Sequence, residues 1–400
     1  MSPTGVLSPF TLGPVALRNR IIKAATYETR CANGLVTDDL IAWHRRFAAG
    51  GVGATTLAYC SVSADGRTFR DQIWMRPEAL PGLANFCDQI HAEGAAASIQ
   101  LGHAGWFADP KATAAPILGP SRQFSPHAGK FSRALTHDDL ARILGDFVRS
   151  ANIAVEAGFD VLEIHLGHGY LLSQFLTPWN NRRRDEYGGA ISGRARFPRQ
   201  VLSAVREAVG SRAAVTAKLN MADGFRGGLV ADDAIAVARM LEEDGSVDAL
   251  QLTGGHTTRS PLYLMRGDSP LAAVFARDPN IVRRTVLSLG ARLVVRDWPF
   301  EEAWFRDQAL AFRHAVSTPL MFLGGVTTRA SMDRAIEDGF ELVAMGRALI
   351  AEPDLALQLA KNAWDSSICT HCNRCVGGVG HKPTSCILVE PAETTATASA

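Results

Sequence analysis

Short, β-rich apolar runs recur along the chain, with stretches of helical period between them. "RIIKAAT" (20–26), "GATTLAY" (53–59) and "AAASIQL" (95–101) come first, and "DVLEIHL" (160–166), "AAVTAKLN" (213–220) and "VDALQLTG" (247–254) follow. "PLMFLGG" (319–325) and "ELVAMGR" (341–347) bring the set to eight. Several are almost continuously apolar, as parallel strands covered on both faces are. The intervals carry helices with start and stop signals. Thr136 followed three residues later by Asp139 is an N-terminal capping pattern; Leu140, Ile143, Leu144, Phe147, Val148 and Ala151 then keep one face apolar, and Gly158 supplies the stop. Eight strand–helix alternations predict an α/β fold, a (β/α)8 TIM barrel over residues 1–360, followed by a cysteine-rich C-terminal tail over 361–400. An open doubly wound sheet is the competing architecture, but no G-x-G-x-x-G follows an early strand.

Two segments exceed a minimal barrel. Residues 102–135, rich in Gly, Pro, Ser and His, are expected to cover the barrel mouth. Residues 255–318, after the sixth run, hold Trp298, Trp304 and several arginines, and predict an extra helical excursion with a substrate-facing loop. Loops after strands build the active face of such a barrel, so both are candidate specificity elements. The last stretch, "EPAETTATASA", is small and polar and is expected to be unstructured.

Composition narrows the function classes. Lys+Arg 41 against Asp+Glu 40 leaves a net charge of +1, which argues against a sequence-independent nucleic-acid binder. No apolar run approaches the ~20 residues needed to span a bilayer, and the N-terminus lacks the layout of a signal peptide, so a cytoplasmic location is expected. Of seven cysteines, Cys31, Cys60 and Cys87 are scattered and expected to pack as small hydrophobes. Cys369, Cys372, Cys375 and Cys386 form C-x2-C-x2-C-x10-C, a spacing that suits an iron–sulfur cluster or a structural zinc, with His371 as a weaker spare ligand. A vestigial set of reduced thiols is the plainer alternative.

"EIHLGHGYLLSQFLTP" (163–178) places His165, His168 and Tyr170 where the fourth apolar run gives way to a loop. Side chains at strand C-termini point into a barrel's catalytic mouth. A zinc site is the weaker reading, because H-x-x-H lacks the spacing of H-E-x-x-H and no third ligand stands nearby. A donor pair that grips a carbonyl or nitro oxygen, beside a phenol that delivers a proton, accounts for all three rings.

The block "GFDVLEIHLGHGYLLSQFLTPWNNRRRDEYGGAISGRARF" (158–197) resembles the signature of the old yellow enzyme family, FMN-dependent NAD(P)H:flavin oxidoreductases and ene-reductases on a (β/α)8 barrel. "LRNRIIKAAT" (17–26), "IQLGHAGW" (99–106), "FLGGVTT" (322–328) and "VAMGRALIAEPDL" (343–355) extend the resemblance to about residues 5–360. It implies that NADH or NADPH reduces bound FMN, which then reduces an activated C=C bond of an electron-poor small molecule. His165 and His168 would hold the substrate's activating oxygen, and Tyr170 would protonate its α-carbon. Gln100 would face the pyrimidine side of the flavin, Lys218 would stand near N1 and O2, and Gly324, Gly325, Gly346 and Arg347 would hold the phosphate. Taken singly, Gln100 reads as an ordinary strand-end residue, Lys218 as the partner of a carboxylate such as Asp223, and Gly324–Gly325 as a tight turn.

The first strand departs from the family pattern. Counting eight from Asn19 gives Tyr27 where relatives often place Thr or Cys, with Thr26 one residue earlier, so either side chain is a candidate for the flavin edge. Tyr59 stands where the pattern has a small residue. The cysteine tail is similar to that of the trimethylamine dehydrogenase and dienoyl-CoA reductase branch, in which a [4Fe–4S] cluster passes electrons from FMN to a further domain. An occupied cluster would therefore favour oxidation or demethylation of a small substrate and call for an external electron-transfer partner. A flavin-free barrel, a metal-dependent hydrolase or a ligand-binding module, is the alternative from another class. The partner expected is a small molecule, with neither nucleic acid nor membrane, and a homo-oligomer is compatible with the chain.

Overall fold

The computed structural model describes residues 5–113, 115–270 and 296–389. Each of the eight apolar runs contains a strand: β1 (Ile21–Lys23), β2 (Ala54–Ser61), β3 (Ala96–Gly102), β4 (Val161–Leu166), β5 (Ala214–Asn220), β6 (Ala249–Thr253), β7 (Leu320–Phe322) and β8 (Leu342–Met345). Neighbours pair in parallel in chain order and β8 returns to β1, so the sheet closes into a barrel. The strands are buried along almost their whole length because helices cover their outer faces and side chains fill the interior.

The helices between them are α1 (Asp38–Ala49), α2 (Leu80–Ala92), α3 (His137–Glu156), α4 (Arg196–Val209), α5 (Ala231–Glu243), α6 (Arg306–Arg313), α7 (Arg329–Glu337) and α8 (Arg347–Ala351). The start signal read at Thr136 is realised. Thr136 and Asp139 form a reciprocal capping box on α3, and Thr328 with Ser331 does the same on α7. Each such cap is worth about 1 kcal/mol. On α3 the buried face is Leu140, Ile143, Phe147 and Ala151, with Leu144 and Val148 half-buried at its margin. Cys60 and Cys87 lie in the main core, as expected of small hydrophobes, while Cys31 is half-buried against its edge.

A hairpin of Phe10–Leu12 against Val15–Leu17 precedes the barrel. Its Leu12 and Leu17 pack with Ile22, Ala54, Val161, Ala214, Ala249 and Leu342, residues at the N-terminal ends of the strands, and so close the base with apolar side chains. The chemistry is left to the other end. There residues 102–135 fold as two short strand pairs, Leu118–Gly119 with Arg133–Ala134 and Phe124–Ser125 with Lys130–Phe131. The excursion after β6 contributes the short helix Pro261–Leu264 and then α6; its residues 271–295, like the polar terminus 390–400, lie outside the described residues. The described part of the tail, through Val389, docks back on the barrel mouth, and Thr384 N–H donates to Glu28 O at 2.8 Å. Among the described residues, no helix is long and apolar enough to cross a membrane.

Candidate active site

One cavity at the C-terminal mouth is lined by every residue singled out from the barrel sequence: Thr26, Tyr27, Tyr59, Gln100, His165, His168, Tyr170, Lys218, Gly324, Gly325, Gly346 and Arg347. They come from seven of the eight strand ends, scattered over more than 300 positions of the chain. Small residues (Ala24, Ala25, Ala58, Ala344) leave a slot between them.

β4 ends in the reactive ring cluster. His165 faces the barrel interior, two residues beyond Glu163 on the same side of the strand. Its Nδ1 accepts from Gly167 N–H at 3.3 Å, which leaves the proton on Nε2. His168 has a left-handed backbone (φ 60) stabilised by Asn220, whose Oδ1 accepts from His168 N–H at 3.0 Å. The His168 Nε2 meets Thr253 Oγ1 at 2.8 Å, a bond that either atom can donate. The His165 ring lies 5.1 Å from that of His168 and 4.7 Å from that of Tyr170. Burial holds both imidazoles well below their ordinary pKa, reinforced by the neighbouring cation Lys218, so both are neutral donors. Burial also pushes the Tyr170 phenol up to about 12, keeping its proton in place at neutral pH.

β2 carries an irregularity between Leu57 and Cys60, one residue more than the facing Ile99–Leu101 of β3. Such a bulge re-aims a side chain. Tyr59 falls within it: its hydroxyl reaches Gly66 O at 3.0 Å and Thr68 Oγ1 at 2.7 Å, and its ring packs 4.9 Å from Tyr170. Tyr59 thus narrows the slot from one side with its phenol tied back, away from the open space.

Beneath the rings, Glu163 organises the interior. Gln100 Nε2 donates to its Oε1 at 2.6 Å, and Lys218 Nζ lies 3.6 Å from the same oxygen. The partner of Lys218 is therefore Glu163 and not Asp223. Asp223 instead accepts from Thr177, Asn220 and Leu229 N–H, which anchors the loop after β5. A second buried network lies under β1: Lys23 Nζ donates to Thr26 Oγ1 (2.6 Å) and Glu28 Oε1 (3.0 Å), while Thr26 donates to Glu28 (2.9 Å). Burial works against the Glu28 charge, but Lys23 and His44 more than offset it and hold its pKa low.

At the β7–β8 side, Gly324 and Gly325 both have positive φ, and a Cβ on them would meet Phe305 at 2.6 Å and Trp304 at 2.4 Å. The close approach of these aromatics, from the excursion after β6, requires glycine there. Polar atoms buried without a protein partner line the same cavity: Trp304 Nε1, Thr257 Oγ1 and His371 Nε2. A flat slot with unpaired donors, a buried lysine and an arginine at one end fits a heteroaromatic cofactor with a phosphate.

The four tail cysteines line a neighbouring cavity together with Arg347 and Ile350. All four are free and half-buried. His371 turns the other way, toward the large cavity, with its ring stacked 3.4 Å from Phe300. Sequence reasoning overlooked several participants. Glu163, Asn220 and Thr253 lie inside apolar runs and carry no motif signal of their own. His256, buried behind His168 and pushed down to about 3 by burial, touches Gly169 so closely that a Cβ there would lie 2.5 Å from its Nε2. Only the fold brings the β6 loop under that of β4.

Comparison with known proteins agrees with this geometry. The family model "NADH:flavin oxidoreductase / NADH oxidase family" matches residues 6–253. A 4,4'-dithiodibutanoate disulfide reductase of Rhodococcus erythropolis is 44% identical over 388 residues, covering 97% of this chain and 96% of the relative. Among solved structures, a 2-naphthoyl-CoA reductase complex superposes with a TM-score of 0.81 at 24% identity, covering 97% of this chain, which spans 57% of that protein. An old yellow enzyme homologue from Zymomonas mobilis gives 0.71 at 22% identity, over 95% of this chain and 99% of that one. With the fold, the slot and these relatives in agreement, the chain belongs to the NADH:flavin oxidoreductase / NADH oxidase family and is an FMN-dependent NAD(P)H oxidoreductase of the old yellow enzyme type.

Proposed function

We propose that the chain reduces an activated carbon–carbon double bond of a small electron-poor substrate at the expense of NAD(P)H. The observation that carries this reading is the grouping of two neutral imidazoles and one protonated phenol on a single wall of the cavity, with ring centroids 4.7 and 5.1 Å apart. FMN held in the slot would supply the hydride for such a reduction. His165 Nε2–H and the His168 ring, with Thr253 donating to its Nε2, would be the donors for the substrate's activating oxygen, and they are placed before it arrives. Tyr170 gives its proton to the α-carbon and is reprotonated from water. Lys218 and Gln100, both held by Glu163, would face the polar edge of the ring, with Thr26, Tyr27 and Tyr59 along its sides. Gly324, Gly325, Gly346 and Arg347 would hold the phosphate.

The Rhodococcus relative supports a second reading, disulfide reduction, because its resemblance runs almost end to end. There the hydride would go to one sulfur, the S–S bond would break, and the Tyr170 proton would go to the departing thiolate, giving two thiols. We read Cys369, Cys372, Cys375 and Cys386 as iron–sulfur ligands. Four thiolates at C-x2-C-x2-C-x10-C spacing around one pocket support that reading.

The test is a visible spectrum of anaerobically purified protein, followed by NAD(P)H consumption with an enone or a dialkyl disulfide as acceptor. Flavin bands and enone-dependent consumption are expected. Colourless protein after FMN addition would overturn the flavin reading. Turnover with the disulfide alone would transfer the assignment to the second reading.

A further inference from the structure

The described tail forms a wall of two cavities at once. Cys375, Val376, Val379 and Thr384 line the large cavity, and Cys375, Arg347 and Ile350 line both that cavity and the cysteine pocket. We propose that the cysteine centre and the flavin cavity are thermodynamically coupled through this tail, so that metal held by Cys369, Cys372, Cys375 and Cys386 tightens FMN binding. The inference rests on the iron–sulfur and FMN readings above.

Among the bonds that join the tail to the barrel, two clamps are adjacent in sequence to cysteines of the set. Asn373, between Cys372 and Cys375, is buried with a left-handed backbone (φ 54). Its Nδ2 donates to Met265 O at 2.7 Å and Asp268 O at 2.9 Å, and its Oδ1 accepts from Arg347 Nη1 at 2.5 Å. One side chain therefore ties the cysteine run to the loop after β6 and to the arginine at the cavity. Thr384, two residues before Cys386, donates from N to Glu28 O (2.8 Å) and from Oγ1 to Tyr27 O (3.1 Å), while Gly380 N–H donates to Thr29 Oγ1 (2.8 Å). The second clamp thus grips the β1 loop on the opposite side of the slot.

Outside these clamps the tail is held by scattered bonds, Ser367 N–H to Thr327 O (2.8 Å), Ile368 N–H to Glu352 Oε2 (2.9 Å) and Asp268 N–H to His371 O (3.1 Å) among them. Its helix, Arg374–Gly377, has four residues, too few to be stable alone. Ile368, Ile387, Leu388 and Val389 are each 41–52% exposed, so these four add little apolar burial. A centre that draws four thiolates together would add ordering free energy to the segment that carries both clamps, as structural metal sites do. A ligand that needs the ordered tail binds in proportion to the fraction of chains that have it. Linkage then requires the reverse as well: FMN must strengthen metal retention by the same factor.

The experiment measures the FMN dissociation constant by flavin fluorescence, with iron and zinc content determined in parallel. Full-length protein is compared as purified and after chelator stripping under reductant. Stripping is expected to weaken FMN binding about tenfold or more, and reconstitution to restore it. Asn373→Gly keeps all four cysteines and tolerates the left-handed backbone, and is expected to lose FMN affinity and metal retention together. Metal that binds and can be removed with no change in FMN affinity would overturn the coupling and leave the iron–sulfur reading intact. Protein that takes up no metal even on reconstitution would overturn that reading and the coupling with it.

Discussion

The two ends of this barrel are built from the same eight strands, yet they obey opposite rules. At the base, Leu12 and Leu17 of the hairpin press on Ala54, Val161, Ala214, Ala249 and Leu342, an apolar plug. At the mouth, one strand length away, Glu163, Lys218, Gln100, His165 and the Lys23–Glu28 pair are buried with almost no solvent exposure. Burying an apolar side chain is favourable by itself, whereas a buried charge must be paired and hydrogen-bonded to be tolerated. The base stabilises the fold, and the mouth is a costly arrangement that the rest of the fold holds in place. Substitutions should therefore separate cleanly: the mouth governs chemistry and pH response, and the base governs stability.

The largest separation is expected for Tyr170→Phe. It removes one hydroxyl and leaves the ring packing, so the alkene half-reaction should slow by ~10²–10⁴ while flavin reduction by NAD(P)H and thermal stability stay unchanged. Stopped-flow measurement of the two half-reactions checks this, and an unchanged alkene step would remove Tyr170 from the mechanism. Leu12→Ala should do the converse. It leaves a void in the plug and should cost about 2–5 kcal/mol of unfolding free energy with kcat barely affected, as read by denaturant titration beside steady-state assays. A parallel loss of activity in the folded variant would show that the two ends are not independent.

The smallest effect of a single substitution is expected in the pH dependence. His165, His168 and His256 are each held below the ordinary imidazole pKa by burial, so the folded state binds fewer protons than the unfolded chain. Stability should be level above about pH 6.5 and fall as pH drops below it, by about 1.4 kcal/mol per pH unit for each histidine. His256→Gln should remove one histidine's share of that slope. An acid limb of equal steepness in the variant would mean that His256 is not one of the titrating groups.

Much of this was legible in the chain alone. The eight runs are nearly continuous in apolar residues, so strand existence and order followed from periodicity, and the capping signal at Thr136 located α3. His165, His168 and Tyr170 stood out because a lone histidine at a strand end reads as structural, whereas three polar rings at one strand end shift the balance toward function. Less legible were pairings that depend on which strands become neighbours. Lys218 has Asp223 five residues away in sequence, but its partner is Glu163, because β4 and β5 run in parallel with His165 opposite Lys218. The glycines of the 324–325 turn likewise owe their requirement to Trp304 and Phe305, whose approach is invisible to local pattern.

Local chemistry, then, was determined by the sequence itself: hydrophobic period, caps and the clustering of reactive rings and thiols all act over a few residues. The closed barrel decided the rest. Closure brings β8 beside β1, turns strand ends more than 300 residues apart into one slot, and folds the cysteine tail back onto the loop after β1. Electrostatics and burial depend on distance in space, and only closure sets those distances.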